Sequence, residues 1–318
     1  MVTGGSGFLG SAFVRLSRQA GHQVAVLSRS GLGVPEGTIW LSGGISDPPW
    51  KEIERFAPTA CLHAAWIATP GVYLESPENE VWMMWSFDFL SRLAESGVGR
   101  VTVLGTCIEY QIDGNPLCED KNLIAPASPY ARAKCSLHKK LVAHWARLAA
   151  EGSPVPALAW ARIFYPYGEG EHPARLVSSL IAKLFRGESV SLKNPQSIKD
   201  YIHVEDVASG LLTIVNQKYT GAINVGTGQG LTVGNIAREI GQIIGRTELI
   251  NIPQIPPEDP LDYVVANVAR LRGLGWTPQI TISAGLNRMV QAHNTGNDAM
   301  YVREKQKVLG SSLLSVGQ

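Results

Sequence analysis

Tyr130 and Lys134 are the side chains whose types and spacing best fit chemistry. A tyrosine ionises near pH ~10, so it serves as an acid or base at neutrality only when a fixed cation stabilises its phenolate. Lys134 follows Tyr130 by four residues, about one helical turn, which directs both side chains from one helix face into one space. We therefore predict that this pair transfers a proton.

The predicted helix begins just before the tyrosine. Ser128 is a residue type preferred as an N-cap, and Pro129 is preferred as the first helical residue. The spacing alone is not specific, because Tyr301 and Lys305 repeat it in a polar stretch. The surroundings of the first pair must therefore decide its meaning.

The first thirty residues predict a strand, a glycine turn, a helix and a second strand. Gly4, Gly7 and Gly10 form the turn, a helix is expected from 11 to 20, and a buried parallel strand from 22 to 27. Such glycines let the backbone approach a pyrophosphate at the helix N-terminus. The alternative is a tight glycine turn that binds no ligand.

The residues after the second strand bear on the choice of dinucleotide. A carboxylate there would bond the adenosine ribose 2′-hydroxyl and favour NAD, whereas an arginine would accept a 2′-phosphate. Here Arg29 stands between Ser28 and Ser30. This favours NADP(H), with NAD(H) still possible, and the alternative is a solvated surface arginine.

Composition excludes several classes of protein. The 318 residues carry a net charge of +1, so nothing favours nucleic acid or an anionic membrane as partner. Apolar residues make up 45% and charged residues 17%, as in an ordinary soluble globular protein. The four cysteines lack metal-site spacing, so no metal is expected, and no apolar run approaches the ~20 residues of a membrane helix. With no signal peptide recognised, we expect a cytoplasmic protein.

A strand ending in a hydroxyl residue, 101–106, lies between the glycine turn and the Tyr/Lys pair. With these motifs the chain resembles the extended short-chain dehydrogenase/reductases, in their branch of nucleotide-sugar epimerases, dehydratases and ketoreductases. The resemblance covers roughly residues 1–290. It implies a Rossmann-type α/β fold, a doubly wound parallel sheet with a smaller C-terminal substrate-binding lobe.

The resemblance also assigns roles to residues. In that family a serine or threonine four residues before an aromatic bonds the substrate oxygen, and here Thr106 precedes Tyr110 and lies 24 residues before Tyr130. Thr106, Tyr130 and Lys134 would form the catalytic triad, with Tyr130 as general acid/base and Lys134 also on the nicotinamide ribose. The expected cofactor-binding residues, besides Tyr130 and Lys134, are Gly4, Gly7, Phe8, Leu9, Gly10, Ser28, Arg29, Ser30, Ile45, Ala64 and Ala65. The expected substrate-binding residues are Thr106, Tyr165, His172 and Lys199. His203 is expected to be structural.

Three positions depart from the family pattern. Gly44 occupies the place of an aspartate that bonds adenine in relatives, so adenine would be held by backbone and packing. Tyr165 stands where relatives commonly place an asparagine near the substrate. A further asparagine of a preceding helix is replaced within 82–85. These departures affect the identity of the substrate and leave the expected fold unchanged.

The motifs also rank the chemistries of the family. Dehydratases resemble one another in placing an Asp-Glu pair after the hydroxyl residue, whereas Cys107 and Ile108 follow here, which disfavours dehydration. Arg29 favours NADPH-dependent reduction of a 4-keto-6-deoxy nucleotide sugar. The alternatives are an NAD-dependent epimerase, an epimerase/reductase with Cys107 and His172 as acid and base, and a reductase of a non-sugar carbonyl compound. Because Tyr130 and Lys134 are both present, a non-catalytic scaffold is disfavoured.

The expected domains follow from the resemblance. Residues 1–163, completed by strands around 200–206 and 222–226 in a segment ~200–228, would form the NAD(P)-binding domain. The substrate-binding lobe would take 164–199 and 229–293, with an irregular loop over the prolines of 253–260. Residues 294–318 match nothing in the family and are a tail of unknown role.

A homodimer is expected by resemblance, because relatives pair through the helix that carries the catalytic tyrosine. In this chain that helix places Leu137, Leu141 and Trp145 at helical spacing. Packing of these side chains inside one subunit is the competing account.

Overall fold

The structure is a computed structural model that describes residues 1–253 and 258–295. The strands are β1 (Val2–Thr3), β2 (Ala25–Ser28), β3 (Ile39–Ser42), β4 (Ala60–His63), β5 (Arg100–Thr106), β6 (Ala157–Ile163), β7 (Tyr165–Tyr167), β8 (Val190–Ser191), β9 (Ile198–Lys199), β10 (Tyr201–His203), β11 (Gly221–Val225), β12 (Leu231–Thr232), β13 (Ile250–Asn251) and β14 (Tyr263–Val264). The helices are α1 (Phe8–Gln19), α2 (Trp50–Phe56), α3 (Glu78–Glu95), α4 (Pro129–Ala150), α5 (Leu176–Phe185), α6 (Val204–Asn216), α7 (Val233–Ile244), α8 (Ala269–Gly273) and α9 (Ile282–Asn294).

A seven-stranded parallel sheet forms the centre of the molecule, in the order β11-β6-β5-β4-β1-β2-β3. Helices α1 and α6 pack together on one face, and α3 and α4 pack together on the other, each above its own apolar core. The fold is therefore a doubly wound, Rossmann-type sheet, as predicted. The strand order reverses at β1, which places a crevice at the carboxyl ends of β1 and β4.

Helix α4 begins where the sequence predicts. The Ser128 hydroxyl accepts a hydrogen bond from the Ala131 N–H (3.2 Å), and Pro129 is the first helical residue. Leu137, Leu141 and Trp145 are buried in the core beneath the sheet. Their helical spacing is thus explained by packing within one subunit.

A second, smaller core lies beside the sheet. Helices α5, α7 and α9 pack on one another and on the short strands β8 and β10. Tyr167, Leu184 and Ile240 are buried there. This group of elements is the smaller lobe that the fold class includes, and its residue boundaries remain a prediction.

One strand expectation was wrong. Residues 201–203 are strand β10, but they pair with β7 in a separate two-stranded sheet, and the chain enters α6 at Val204. The cause is local, because the His203 ring accepts a hydrogen bond at Nδ1 from the Glu205 N–H (3.3 Å) and so caps α6. The strand expected near 222–226 is β11, at the edge of the main sheet.

Two boundaries near the start of the chain also differ from expectation. Helix α1 begins at Phe8, because Gly7 is its N-cap and the end of the glycine turn is already helical. Strand β2 runs to Ser28, and the chain is not a strand over 22–24. Much of the proline-rich loop and of the tail, including the Tyr301/Lys305 pair, lies outside the described residues. Among the described residues, no helix is long and apolar enough to cross a membrane.

Candidate active site

The glycine turn is shaped for close backbone approach. Gly4 has φ +67°, a conformation that side chains rarely adopt, and a Cβ on it would stand 2.7 Å from the Ala65 N. A Cβ on Gly10 would overlap the Gly4 carbonyl. Helix α1 starts directly after Gly7 with no side-chain cap, so its first N–H groups are available to an anion. These features fit a dinucleotide pyrophosphate.

Arg29 follows directly after β2 and lines the same cleft as the glycine turn. The Ser28 hydroxyl donates to the Ser30 carbonyl (2.7 Å), which fixes the turn after β2. The aliphatic stem of Arg29 passes Gly44, with its Cγ 3.5 Å from where a Cβ of that glycine would lie. The Arg29 side chain is exposed, and no carboxylate of the described segments forms an ion pair with it. The guanidinium is therefore available to a phosphate.

Thr106 stands at the carboxyl end of β5, followed by a 3-10 turn, Cys107–Glu109. The Thr106 hydroxyl accepts from the Glu109 N–H, and the Glu109 carboxylate accepts from the Thr106 N–H (2.8 Å). This reciprocal pair is a capping box, which fixes both ends of the turn. The position of Thr106 is thus set by a residue three further along the chain.

Tyr130 and Lys134 project from the first turns of α4 into the same cleft. The Lys134 Nζ donates to the Leu104 carbonyl (2.8 Å) and lies 3.8 Å from the centre of the Trp66 ring. Tyr73 packs edge-on against Tyr130, with ring centroids 4.9 Å apart. In the described residues no protein group hydrogen-bonds the Tyr130 hydroxyl, which leaves it available to a substrate oxygen.

Burial controls the ionisation of both groups. It raises the pKa of Tyr130, and nearby Tyr73 and Glu109 raise that pKa further. It lowers the pKa of Lys134 to about 7, an effect that the charge of Glu109 opposes. The Lys134 Nζ is 5.8 Å from the Tyr130 ring centre. The Tyr130 phenol is therefore neutral near pH 7 and retains its proton.

The cleft has a volume of about 680 Å³ and brings most of the sequence-predicted residues together. The predicted residues that line it are Gly4, Gly7, Phe8, Leu9, Gly10, Ser28, Arg29, Ile45, Ala64, Ala65, Thr106, Tyr130, Lys134, Tyr165 and His172. Ser30 and Lys199 are not among its lining residues. No group of three or more potential metal ligands occurs in residues 1–253 and 258–295.

Lys199 lies behind the wall of the cleft. Its Nζ is 3.2 Å from an Asp259 carboxylate oxygen and also donates to the carbonyl of Leu261, which does line the cleft. The lysine charge is therefore already paired. Arg175, in contrast, lines the cleft, with its guanidinium carbon 5.5 Å from the Tyr73 ring centre, and no carboxylate of the described chain forms an ion pair with it. No motif surrounds Arg175, so the sequence offered no signal for it.

The acid/base candidates for a second proton transfer differ from those expected. Cys107 is buried, which raises its pKa to about 12, and His172 is an exposed loop residue whose Nδ1 accepts from the Ala174 N–H (3.1 Å). Glu171 also lines the cleft and is 8% exposed, and burial raises its pKa to about 7. One of its oxygens accepts from the Ser178 hydroxyl (3.0 Å). In the sequence, the only indication of a role for Glu171 was that it directly precedes His172.

Two buried histidines are structural. His63 at the end of β4 lies between the hydroxyls of Thr3 and Ser86, each 3.0 Å from a ring nitrogen, and burial lowers its pKa to about 3. His203 caps α6 through Nδ1 and bonds Glu169 through Nε2 (3.1 Å). Neither ring lines the cleft.

Comparison with known proteins agrees with this geometry. The NAD dependent epimerase/dehydratase family matches residues 1–226. The chain belongs to this family. It is 22% identical to UDP-glucose 4-epimerase of Corynebacterium glutamicum, over 88% of this chain and 91% of that protein. It is 24% identical to UDP-glucuronic acid decarboxylase 6 of Arabidopsis thaliana, over 91% and 87% of the two chains. The fold is similar to that of the Thermus thermophilus UDP-glucose 4-epimerase complex with NAD, with TM-score 0.76, 24% identity, and 91% and 97% coverage.

Three positions distinguish this member of the epimerase/dehydratase family from the pattern expected by resemblance. Tyr165 on β7 lines the cleft at the position of one expected asparagine, and Trp82 and Trp85 of α3 line it within 82–85, the range of the other. Gly44 lies beside the Arg29 stem, where an aspartate was expected. Aromatic rings therefore line the cleft where the resemblance implied amide groups.

Proposed function

We propose that this protein catalyses NADPH-dependent reduction of a 4-keto-(6-deoxy) nucleotide sugar. The observation that carries the proposal is the arrangement of one cleft. Thr106, Tyr130 and Lys134 form its reactive wall, and Arg29, which has no ion-pair partner among the described residues, lines the same cleft directly after β2. An arginine at that position suits a 2′-phosphate, which favours NADP(H) over NAD(H).

The residues on the reactive wall account for the proton part of a reduction. The nicotinamide supplies a hydride to the carbonyl carbon when the cofactor is bound. The hydroxyls of Thr106 and Tyr130 would hold the carbonyl oxygen, and Tyr130 would give it the proton that completes the alcohol. Lys134 would fix a positive charge beside this oxygen and would bond the nicotinamide ribose. The glycine turn and the first N–H groups of α1 would hold the pyrophosphate.

A cation in the lining of the cleft supports a diphosphate-bearing substrate. Arg175 faces the cleft without an ion-pair partner in the described residues, so it suits one or both phosphates. The role expected for Lys199 passes to Arg175 in this proposal, because Asp259 already pairs with the lysine. The names of two matched relatives specify UDP-sugars, which supports a nucleotide sugar as substrate.

Epimerisation is the second candidate, and the epimerase names among the relatives favour it. A 4-epimerase returns its hydride to the same sugar and needs no external reductant. An epimerase/reductase would need a second acid/base on the cleft wall, and Glu171 suits that role better than Cys107 or His172. A non-sugar carbonyl substrate is a third candidate, favoured by the aromatic rings of Trp82 and Tyr165.

The test is oxidation of NADPH or NADH by purified protein with a panel of nucleotide 4-keto sugars, followed near 340 nm. Reduction predicts absorbance loss with at least one sugar, faster with NADPH. No loss with either cofactor, together with NAD⁺ that remains bound through purification, would reject reduction and favour epimerisation. A panel of simple ketones distinguishes the third candidate.

The variant Arg29→Asp tests the cofactor argument separately. A carboxylate at position 29 repels a 2′-phosphate and can bond the 2′-hydroxyl, so preference should move towards NADH by about tenfold or more. The measurement is the ratio of kcat/KM for the two cofactors. Arg15→Asp, an exposed arginine of α1 that does not line the cleft, is the matched control. An unchanged ratio in Arg29→Asp would remove the argument for NADP(H).

A further inference from the structure

Glu109 is a fully buried carboxylate beside the reactive wall. It is 0% exposed, although it lies only three residues beyond Thr106. A buried carboxylate is costly unless it is paired and hydrogen-bonded. Here one oxygen accepts from the Thr106 N–H (2.8 Å) and the Trp160 Nε1 (3.0 Å), and the other accepts from the Arg162 Nε (2.7 Å). The charge is thus retained inside the sheet by three donors.

The same carboxylate lies beneath the face of α4 that carries the catalytic lysine. Lys134 and His138 are one helical turn apart, and the Lys134 Nζ bonds the Leu104 carbonyl on β5. The His138 ring stacks on Trp160 at 4.6 Å, and the Trp160 indole donates to Glu109. Helix, indole and carboxylate therefore form one continuous contact beside the end of β5.

Gly105 makes this approach possible. A Cβ on that residue would overlap the Trp160 Nε1 and would stand 2.7 Å from a Glu109 oxygen. The backbone between Leu104 and Thr106 therefore lies directly against the carboxylate. Any side chain at 105 would force Glu109 away from the strand end.

We propose that Glu109 is a positioning residue that fixes the backbone of Thr106 and provides the counter-charge of Lys134. The inference rests on the proposed function only in taking Thr106 and Lys134 as the reactive groups. Burial alone lowers the pKa of Lys134, and Glu109 is the charge that opposes this loss. A protonated lysine is needed to stabilise the oxygen on which Tyr130 acts.

The groups that face Lys134 define what a titration must separate. Tyr130 lies on the same helix as Lys134. Burial, together with the charge of Lys134, lowers the pKa of His63 on β4 to about 3, so His63 is neutral near pH 7. The Trp66 ring covers the ammonium and does not titrate. Arg162, which is always charged, is paired with Glu109. Glu109 is thus the anion whose removal should lower the pKa of Lys134.

The test follows Lys134 itself and needs neither substrate nor turnover. In protein labelled with ¹³C at lysine Cε, the Lys134 resonance is assigned by its loss in Lys134→Met, and its shift is followed with pH. In Glu109→Gln the midpoint should fall by about one pH unit or more. Asp200→Asn, which neutralises another buried carboxylate, is the matched control and should leave the midpoint unchanged. An unchanged midpoint in Glu109→Gln overturns the proposal.

A folding defect is separated from the charge effect by a double variant. Glu109→Gln leaves the Arg162 guanidinium buried and unpaired, whereas Glu109→Gln with Arg162→Met removes both charges and should restore folding. The Lys134 midpoint should still fall in the double variant, and an unmoved midpoint there also overturns the proposal. If the wild-type enzyme turns over, the alkaline limb of the pH profile of Glu109→Gln should move to lower pH together with the Lys134 midpoint. Absence of wild-type turnover would reject the proposed function while the lysine titration still decides the role of Glu109.

Discussion

At the scale of single residues, Tyr130 and Lys134 are held by different forces. Lys134 is fixed by the Leu104 carbonyl and the Trp66 ring, so its position is determined by the protein. The Tyr130 ring is fixed by Tyr73, but its hydroxyl has no hydrogen-bond partner among the described residues. The phenol oxygen is therefore the part of the pair that is free to act on a substrate.

Replacement of that oxygen should separate chemistry from folding. We expect Tyr130→Phe to lower kcat by about 10²–10⁴-fold, the usual contribution of a general acid, with little change in thermal stability. Turnover and thermal unfolding of the same preparation provide the measurement. Tyr301→Phe is the control, because Tyr301 also precedes a lysine by four residues. Equal activity in wild type and Tyr130→Phe would remove Tyr130 from the mechanism.

At the scale of elements, the sequence predicted those features that depend on interactions between residues close together in the chain. Ser128 and Pro129 predicted the start of α4, because a cap and a fixed φ act within one turn. The glycine turn could also be predicted, because the spacing of its glycines is set by the backbone geometry of the turn. The sequence also predicted that a strand ends at Thr106, and β5 ends there.

Interactions between distant segments could not be predicted in this way. Lys199 pairs with Asp259, and Arg162 pairs with Glu109, from 60 and 53 residues away. Asp259 belongs to no motif, and the motif of Thr106 and Tyr110 does not specify the residue at 109. The sequence therefore did not show that Lys199 is neutralised or that Glu109 is buried. The strand expected at 200–206 failed for a different, local reason, because the His203 ring caps α6 and the apolar residues of this segment do not reveal the cap.

Three elements are joined by a partly buried charge cluster that makes stability depend on pH. Glu169, after β7, accepts from His203 and from Arg288 on α9 (2.8 Å), and Arg288 also bonds Glu205. Burial alone would raise the pKa of Glu169, but the His203 hydrogen bond and the Arg288 charge outweigh it and lower the pKa to about 2. The Glu169 side chain is 31% exposed, which weakens the effect.

The sign of the pH effect follows from that shift. Because the folded pKa lies below the ordinary value of 4.5, this stabilisation is present above about pH 4.5 and is lost as pH falls towards 2. Glu169→Gln should therefore lower the free energy of unfolding by about 1–2 kcal/mol at pH 7 and by less at pH 3. Urea unfolding at both pH values measures this. Glu188→Gln, which breaks an exposed pair with Arg186, should show a smaller difference. A deficit of equal size at both pH values would contradict the assignment.

At the scale of the whole molecule, three apolar cores support one cleft. The cores beneath the sheet support the glycine turn, Thr106 and α4, while the smaller core supports the segment of Glu171 and Arg175. The residues that line the cleft are therefore supported by more than one packing unit. The glycine turn, Thr106 and the Tyr130/Lys134 pair could be predicted from motifs, whereas Glu171 and Arg175 belong to no motif.

The outer surface of α3 and α4 bears on assembly. The inward positions of α4 are occupied by core residues, yet Met84 on α3 and Val142 on α4 are 51% and 49% exposed. We propose that these side chains contribute to the homodimer that the family resemblance implies. Exposed apolar side chains on two packed helices gain stability when a second copy removes them from water.

A double substitution tests this assembly. An unpaired carboxylate in an apolar interface is costly, so Met84→Glu combined with Val142→Glu should convert the dimer into a monomer, as measured by sedimentation velocity over a range of protein concentrations. Leu123→Glu is the matched control, because Leu123 is an equally apolar and 70% exposed residue on another part of the surface. If the wild-type chain sediments as a monomer at every concentration, or if the double variant remains a dimer, α3 and α4 do not form the interface. Because neither substituted residue lines the cleft, any activity lost with the dimer would show that assembly supports the site from outside.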